Sequence, residues 1–274
     1  MVDPNSKSIN LHANSNKEFF LIHGYTGSPT DFNGLGEYLN KRFNANVRII
    51  LLKGHGTKIS DLDKIQYNDF RKQVEEEFLK DFNKGRKIVV GGISFGGQLA
   101  LYLASKYPVA GVFNTATPYR LRFPILSWGI YNLKSIKKYW AKGLYDLMYK
   151  DPGNAFYYKQ FHVNIFEILK ESLSDFNIFA KKVVSPFLTL HSKYDYLSDF
   201  RSVFIMEGKI NSKVKKNIIF NSVYHNLFFS DDKDKAMKII GDFFEEQHVF
   251  DKKIPIHKRI WHKIRHNIKS SIKD

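Results

Sequence analysis

At residues 88–100 the chain reads IVVGGISFGGQLA: a β-branched run, four glycines around one hydroxyl, Ser94, and then residues that suit a helix. Such a stretch can cradle a phosphate, make a close-packed turn in a core, or mount a nucleophilic serine. A Walker-type loop needs G-x-x-x-x-G-K-[ST], and no lysine follows here; the dinucleotide fingerprint G-x-G-x-x-G does not occur in this stretch either. G-x-S-x-G does occur, as Gly92-Ile93-Ser94-Phe95-Gly96, between a strand-like and a helix-like run. A sharp strand-to-helix turn demands small residues two before and two after the serine, because side chains there would collide. The serine is then lifted to a helix N-terminus, whose dipole favours a developing negative charge.

Working outward, short apolar runs bounded by turn residues recur at 17–22 (KEFFLI), 47–52 (VRIILL), 87–91 (KIVVG) and 109–114 (VAGVFN). They are continuous rather than alternating, as expected of strands covered on both faces of a parallel sheet. Helical patterns at 30–43, 66–82 and 94–107 lie between them, the last ended by Pro108. The alternation predicts an α/β fold with a mainly parallel central sheet flanked by helices. It stops at 118, and no clear strand is expected before 182. It resumes with a strand at 183–190, a helix at 200–208, a strand at 217–220 and a helix at 232–247.

The interrupting segment is rich in aromatics, Trp128, Tyr139, Trp140, Tyr145, Tyr149, Tyr157, Tyr158, Phe161 and Phe166 among them. An insertion of that length in a sheet protein reads as a lid, or as a helical layer that extends the core. The division expected is therefore a core of 1–118 and 183–247, a helical aromatic-rich cap at 119–182, and a tail at 248–274.

A serine hydroxyl needs a base, and the base needs an orienting acid. Where G-x-S-x-G serves a triad on a parallel sheet, the order is serine, acid, histidine, each at the C-terminal end of a strand. After the strand at 183–190 comes His191-Ser192-Lys193-Tyr194-Asp195, which makes Asp195 the candidate acid. After the strand at 217–220 comes Asn221-Ser222-Val223-Tyr224-His225, which makes His225 the candidate base. Asp199 is a fallback acid better explained as a helix N-cap. The oxyanion donors expected are the amide of Phe95, after the nucleophile, and that of Tyr25, in the loop HGYTGSP at 23–29, where His23 braces the backbone.

HGYTGSP at 23–29, KGHG at 53–56, GISFGG at 92–97, then Asp195 and His225 in order, resemble the α/β-hydrolase superfamily over about residues 17–247. Within it the chain is similar to the small carboxylesterase and monoacylglycerol-lipase group. The resemblance implies an α/β-hydrolase fold and a serine esterase, with a cap over an acyl-binding pocket and no metal or organic cofactor. Two features depart from it. Tyr224 stands before the candidate histidine, where relatives commonly have glycine, and the cap is unusually aromatic. An aromatic cap favours an apolar acyl chain. Thioester hydrolysis, acyl transfer and peptide hydrolysis use the same scaffold, and a non-catalytic partner- or membrane-binding protein is the reading from another class.

Composition narrows the partners. The chain has 274 residues, a formal charge of +16 and no cysteine, so it carries no disulfide framework, thiolate metal site or cysteine nucleophile. Its 34 lysines against nine arginines, scattered through every segment, argue against specific nucleic-acid binding, for which arginine is the better fork. The N-terminus has no apolar core of signal-peptide type, and no run approaches the roughly 18 apolar residues of a membrane span, so a cytoplasmic location is expected. In the tail, Ile260, Ile264, Ile268 and Ile272 recur every four residues beside Trp261 among basic side chains. Two readings remain there: an amphipathic helix on an anionic membrane surface, at its inner face, or a helix packed on its own domain.

Overall fold

The structure, a computed structural model, describes residues 2–142, 149–151, 153 and 155–251. Beyond 251 the expected amphipathic tail lies outside the described residues, as does Tyr145.

The runs KEFFLI and KIVVGGI form β2 (Lys17–Ile22) and β4 (Lys87–Ile93), adjacent and parallel at the centre of the sheet. Around them stand β1 (Ile9–Leu11), β3 (Asn46–Ile50), β5 (Gly111–Thr115), β8 (Phe187–Ser192) and β9 (Lys215–Phe220), in the order β1-β3-β2-β4-β5-β8-β9. All neighbours are parallel except β1, which runs antiparallel to β3 at the edge. The sheet explains why β2 is continuously apolar. Phe19 and Leu21 pack into a cluster with Leu35, Leu39, Ile240 and Phe243, whereas Phe20 and Ile22 pack on the other face with Phe70, Phe78, Leu99 and Leu103. The covering helices are α1 (Leu35–Phe43) and α7 (Lys233–Glu246) on the first face, and α2 (Tyr67–Phe82) and α3 (Phe95–Lys106) on the second. Helix α6 (Ser202–Lys209) lies between β8 and β9 in sequence and adds Met206 to the second face.

Several expected boundaries shift for identifiable reasons. The helix expected from 30 divides: a short turn at Pro29–Phe32 ends at Asn33 and Gly34, both left-handed with φ of 34° and 88°, and α1 starts afresh after them. The strand expected from 183 begins only at Phe187, after Pro186, which has no amide to give a ladder. Strand β1 escapes a sequence reading because three residues carry no periodicity.

Between β5 and β8 the chain makes α4 (Pro124–Asn132), a two-stranded antiparallel ribbon of β6 (Tyr139–Ala141) and β7 (Gln160–His162), and α5 (Ile165–Phe179). The ribbon corrects the expectation of no strand here. Tyr139 anchors it by donating to both carboxylate oxygens of Asp63, at 2.6 and 2.8 Å. Helix α5 sends Ile168, Phe176 and Phe179 into the core beside α3, while α4 buries none of its residues. At the other end Val249 and Phe250 are buried, with the Phe250 ring 5.4 Å from Phe19 and 5.8 Å from Phe43. The segment packed on the core therefore extends past 247. Among the described residues no helix is long and apolar enough to cross a membrane.

Candidate active site

Ser94 follows β4 and stands at the N-cap of α3 with φ 53° and ψ −120°, a backbone conformation sparsely used by residues with a Cβ. Two backbone bonds hold it there. Its amide donates to Thr115 O at 2.8 Å, and its carbonyl accepts from the Gly97 amide at 3.0 Å. The flanking glycines are required by close approach. A Cβ on Gly92 would overlap the Gly96 carbonyl, and one on Gly96 would overlap the carbonyls of Ile22 and His23.

The loop after β2 lies against the serine, since a Cβ on Gly24 would stand 3.5 Å from that of Ser94. Two buried histidines shape the loop. His23 Nε2 accepts the Leu52 amide at 2.9 Å, which leaves Nδ1 to donate to Gly24 O at 2.8 Å. His55, which the sequence offered only within KGHG, accepts the Thr26 amide on Nε2 at 3.1 Å and donates from Nδ1 to Lys53 O at 3.0 Å. Burial lowers both rings, His55 to about 4 and His23 well below its ordinary value, so each stays neutral and keeps its acceptor. The Tyr25 ring packs edge-on against Phe95 at 6.2 Å. Among the described residues neither the Tyr25 nor the Phe95 amide donates to another protein group.

Asp195 and His225 follow β8 and β9, so both sit beyond the same edge of the sheet as Ser94. His225 Nδ1 lies 2.6 Å from Asp195 Oδ2, and both side chains are buried. The other carboxylate oxygen, Oδ1, accepts the amides of Leu197 and Ser198 at 2.8 and 3.1 Å. Burial alone would raise this carboxyl. The His225 ring, with His191 and the Leu197 amide, outweighs it and holds Asp195 below the usual carboxylate range. His191 Nε2 donates to Ser198 O at 3.1 Å and so braces the acid's loop. Asp199, the fallback acid, is instead engaged by Arg201 through its amide at 3.0 Å and its guanidinium. Tyr224 acts through its backbone: its carbonyl accepts the Ser192 hydroxyl at 2.6 Å, tying the histidine loop to the end of β8.

Ser94, Tyr25, Phe95 and His225 line one cavity of about 340 Å³. No hydrogen bond joins the Ser94 hydroxyl to His225 among the described residues. Much of the wall is apolar, from Leu121, Phe123, Leu126 and Ile130 to Phe161, Ile165, Phe166 and Leu169. Asp31, Lys142, Tyr149 and Tyr196 also line it, and the sequence reading picked out none of them as site residues. Their signal is weak in sequence because a lone lysine or tyrosine in a charged, aromatic chain stands out from nothing. Among the described residues no group of three His, Asp or Glu side chains is placed to hold a metal ion.

Comparison with known proteins gives this geometry its relatives. The thermostable monoacylglycerol lipase of Bacillus sp. (strain H-257) is 26% identical over 227 residues, 82% of this chain and 88% of that protein. The carboxylesterase of Bacillus subtilis (strain 168) is 22% identical over 234 residues, 84% of this chain and 93% of that one. A structure of the metagenome-derived lipolytic enzymes LipS and LipT superposes with a TM-score of 0.81 at 19% identity, over 90% of this chain and all (100%) of that one. The monoacylglycerol lipase of Paleococcus ferrophilus does so with a TM-score of 0.72 at 16% identity, over 86% and 97%. Residues 19–197, well over half of the chain, match the sequence profile of the alpha/beta hydrolase family, and the chain belongs to that family.

Proposed function

We propose that this protein is a serine hydrolase that cleaves carboxylic esters with an apolar acyl chain, in the manner of a carboxylesterase or monoacylglycerol lipase. The single observation that carries the reading is the convergence of Ser94, at a strained elbow, and the Asp195–His225 pair on one apolar cavity. Relatives named as a lipase and a carboxylesterase support the reaction class.

In this cycle His225 Nε2 takes the Ser94 proton as the oxygen attacks the ester carbonyl. Asp195, bonded to Nδ1, fixes the ring with Nε2 free to accept and offsets the imidazolium that forms. The negative charge moves to the carbonyl oxygen, where the Tyr25 and Phe95 amides receive it; one such donor lowers the barrier by roughly 3–4 kcal/mol. The tetrahedral adduct collapses, the C–O bond to the alcohol breaks, and His225 returns its proton to the leaving oxygen. Water, deprotonated by the same ring, then releases the acid from Ser94. No step draws on a metal or an organic cofactor.

Exposed apolar side chains on α4 and just beyond it, among them Ile125, Trp128 and Ile136, stand beside the cavity wall formed by Phe123, Leu126 and Ile130 and support a poorly soluble, lipid-like substrate. Attachment of the tail to an anionic membrane surface is tested by truncation and binding to anionic liposomes. The cut belongs after Asp251, because removing Phe250 would open the core at Phe19 and Phe43.

A fluorophosphonate probe tests the assignment. Labelling of the wild type, lost in Ser94→Ala and strongly slowed in His225→Ala, is the expected result. Equal labelling of Ser94→Ala would sink it. Faster cleavage of octanoyl to dodecanoyl than of acetyl p-nitrophenyl esters is expected from the apolar wall.

A further inference from the structure

One corner of the cavity is polar, and the proposed cycle gives it no task. Lys142 Nζ is shut off from solvent and has no hydrogen-bond partner among the described residues, and the Tyr196 hydroxyl is in the same condition. A buried ammonium without a partner is costly, and burial pulls Lys142 down to about 7 against the opposing pull of the Asp31 charge. Asp31 is buried as well. Burial pushes its carboxyl up to about 7, although Lys142 and the Tyr149 hydroxyl, 3.2 Å from Oδ1, both act to lower it. A carboxyl and an amine, one from the core and one from the segment over it, thus share a desolvated corner without bonding to each other.

The corner has a definite position. Asn226, the residue after His225, donates from Nδ2 to Asp31 O at 2.9 Å, and Tyr149 packs on Phe229 with rings 5.1 Å apart. The apolar wall lies elsewhere: Phe161, Phe166 and Leu169 pack against the cluster that contains Phe95. An ester bound for the proposed cycle presents its leaving oxygen to His225, so its alcohol points to the polar corner and its acyl chain runs along the apolar wall.

We infer that Lys142 is a specificity-determining residue which, with Tyr196 and Asp31, selects an uncharged, hydroxylated leaving alcohol of the glycerol type. Nζ and the Tyr196 hydroxyl bond the free hydroxyls of that alcohol. A plain alkanol leaves both unpaired, which is the kind of mismatch that polar sites reject strongly. A phosphate-bearing alcohol meets Lys142 but also brings its charge close to Asp31 in a low-dielectric corner. This inference rests on the serine-esterase reading above.

The test compares three esters with the same decanoyl chain: the glycerol monoester, the ethyl ester and the glycerol monoester carrying a phosphate. The wild type should prefer the first by kcat/KM. In Lys142→Met the ratio of glycerol to ethyl ester should fall by about tenfold or more, with Tyr196→Phe moving the same ratio less. The ratio is internal to each variant, and Tyr196→Phe serves should Lys142→Met fail to fold. An enzyme that labels with fluorophosphonate but whose ratio stays put in both variants overturns this inference alone, as does wild-type preference for the phosphate-bearing ester. Absence of labelling and of all ester turnover overturns the esterase reading and this one with it.

Discussion

His225 Nδ1 and Asp195 Oδ2 are 2.6 Å apart, although 30 residues separate them in the chain; adjacent parallel strands β8 and β9 deliver both to one edge of the sheet. The bond leaves His225 Nε2 as the ring's acceptor. Asp195→Asn removes the charge and allows the wrong tautomer, so ester turnover should fall about 10³–10⁴-fold. The same variant tests the electrostatics. Asp195 is held below the ordinary 3.8 of a carboxyl, so its charged form stabilises the folded chain above that pH, and the contribution is lost as pH falls through the folded value. The thermal penalty of Asp195→Asn should be largest near neutrality and shrink toward about pH 3. A penalty that does not vary with pH counts against a charged Asp195.

Gly96→Ala tests the elbow. Its Cβ would be built into the Ile22 and His23 carbonyls, backbone atoms at the end of β2 and the start of its loop, which cannot move as a side chain would. The turn must open or β2 must shift, at a cost of about 3 kcal/mol or more. Thermal denaturation and fluorophosphonate labelling should both deteriorate. Normal stability and labelling would show that β2 and α3 can part at Gly96 without loss.

The sequence made the centre of the fold legible because parallel strands covered on both faces must be continuously apolar, as Phe19 to Ile22 are. The candidate serine, acid and histidine were legible for a topological reason: each follows a strand, and strand ends are where the chain can present a side chain to a cleft. The polar corner was not. Asp31 belongs to a short turn, Lys142 follows a three-residue ribbon strand, and Tyr196 reads as one more aromatic beside Asp195. What distinguishes them is burial around one cavity corner, a property of three-dimensional packing that has no local pattern. The same applies to His55, whose task is to accept the amide of Thr26 from 29 residues away.

His55 offers a pH experiment. Burial lowers it from 6.5 to about 4, so between those values the unfolded chain takes up a proton that the folded chain refuses. Stability must therefore fall as pH drops through that window, by at most about 1.4 kcal/mol per pH unit from this ring. His23, lowered in the same direction, adds to the slope. In His55→Gln, where the amide oxygen can still accept from Thr26, the loss of stability between neutral pH and about pH 5 should be smaller than in the wild type. Parallel curves for the two proteins would mean that His55 titrates normally in the fold.

Leu169 lies on α5, lines the cavity with Phe161 and Phe166, and packs in part on the core. Leu169→Trp places an indole across the path assigned to the acyl chain. Enlarging a well-packed position costs about 1–3 kcal/mol of stability, which the core tolerates if the ring turns into the cavity. Activity then separates by chain length. Turnover of decanoyl esters should fall about tenfold or more in kcat/KM, while butyryl esters, too short to reach α5, should lose about threefold or less. An equal loss at both lengths would point to a displaced α5 rather than a filled groove, and a loss confined to butyryl esters would place the acyl chain along another wall.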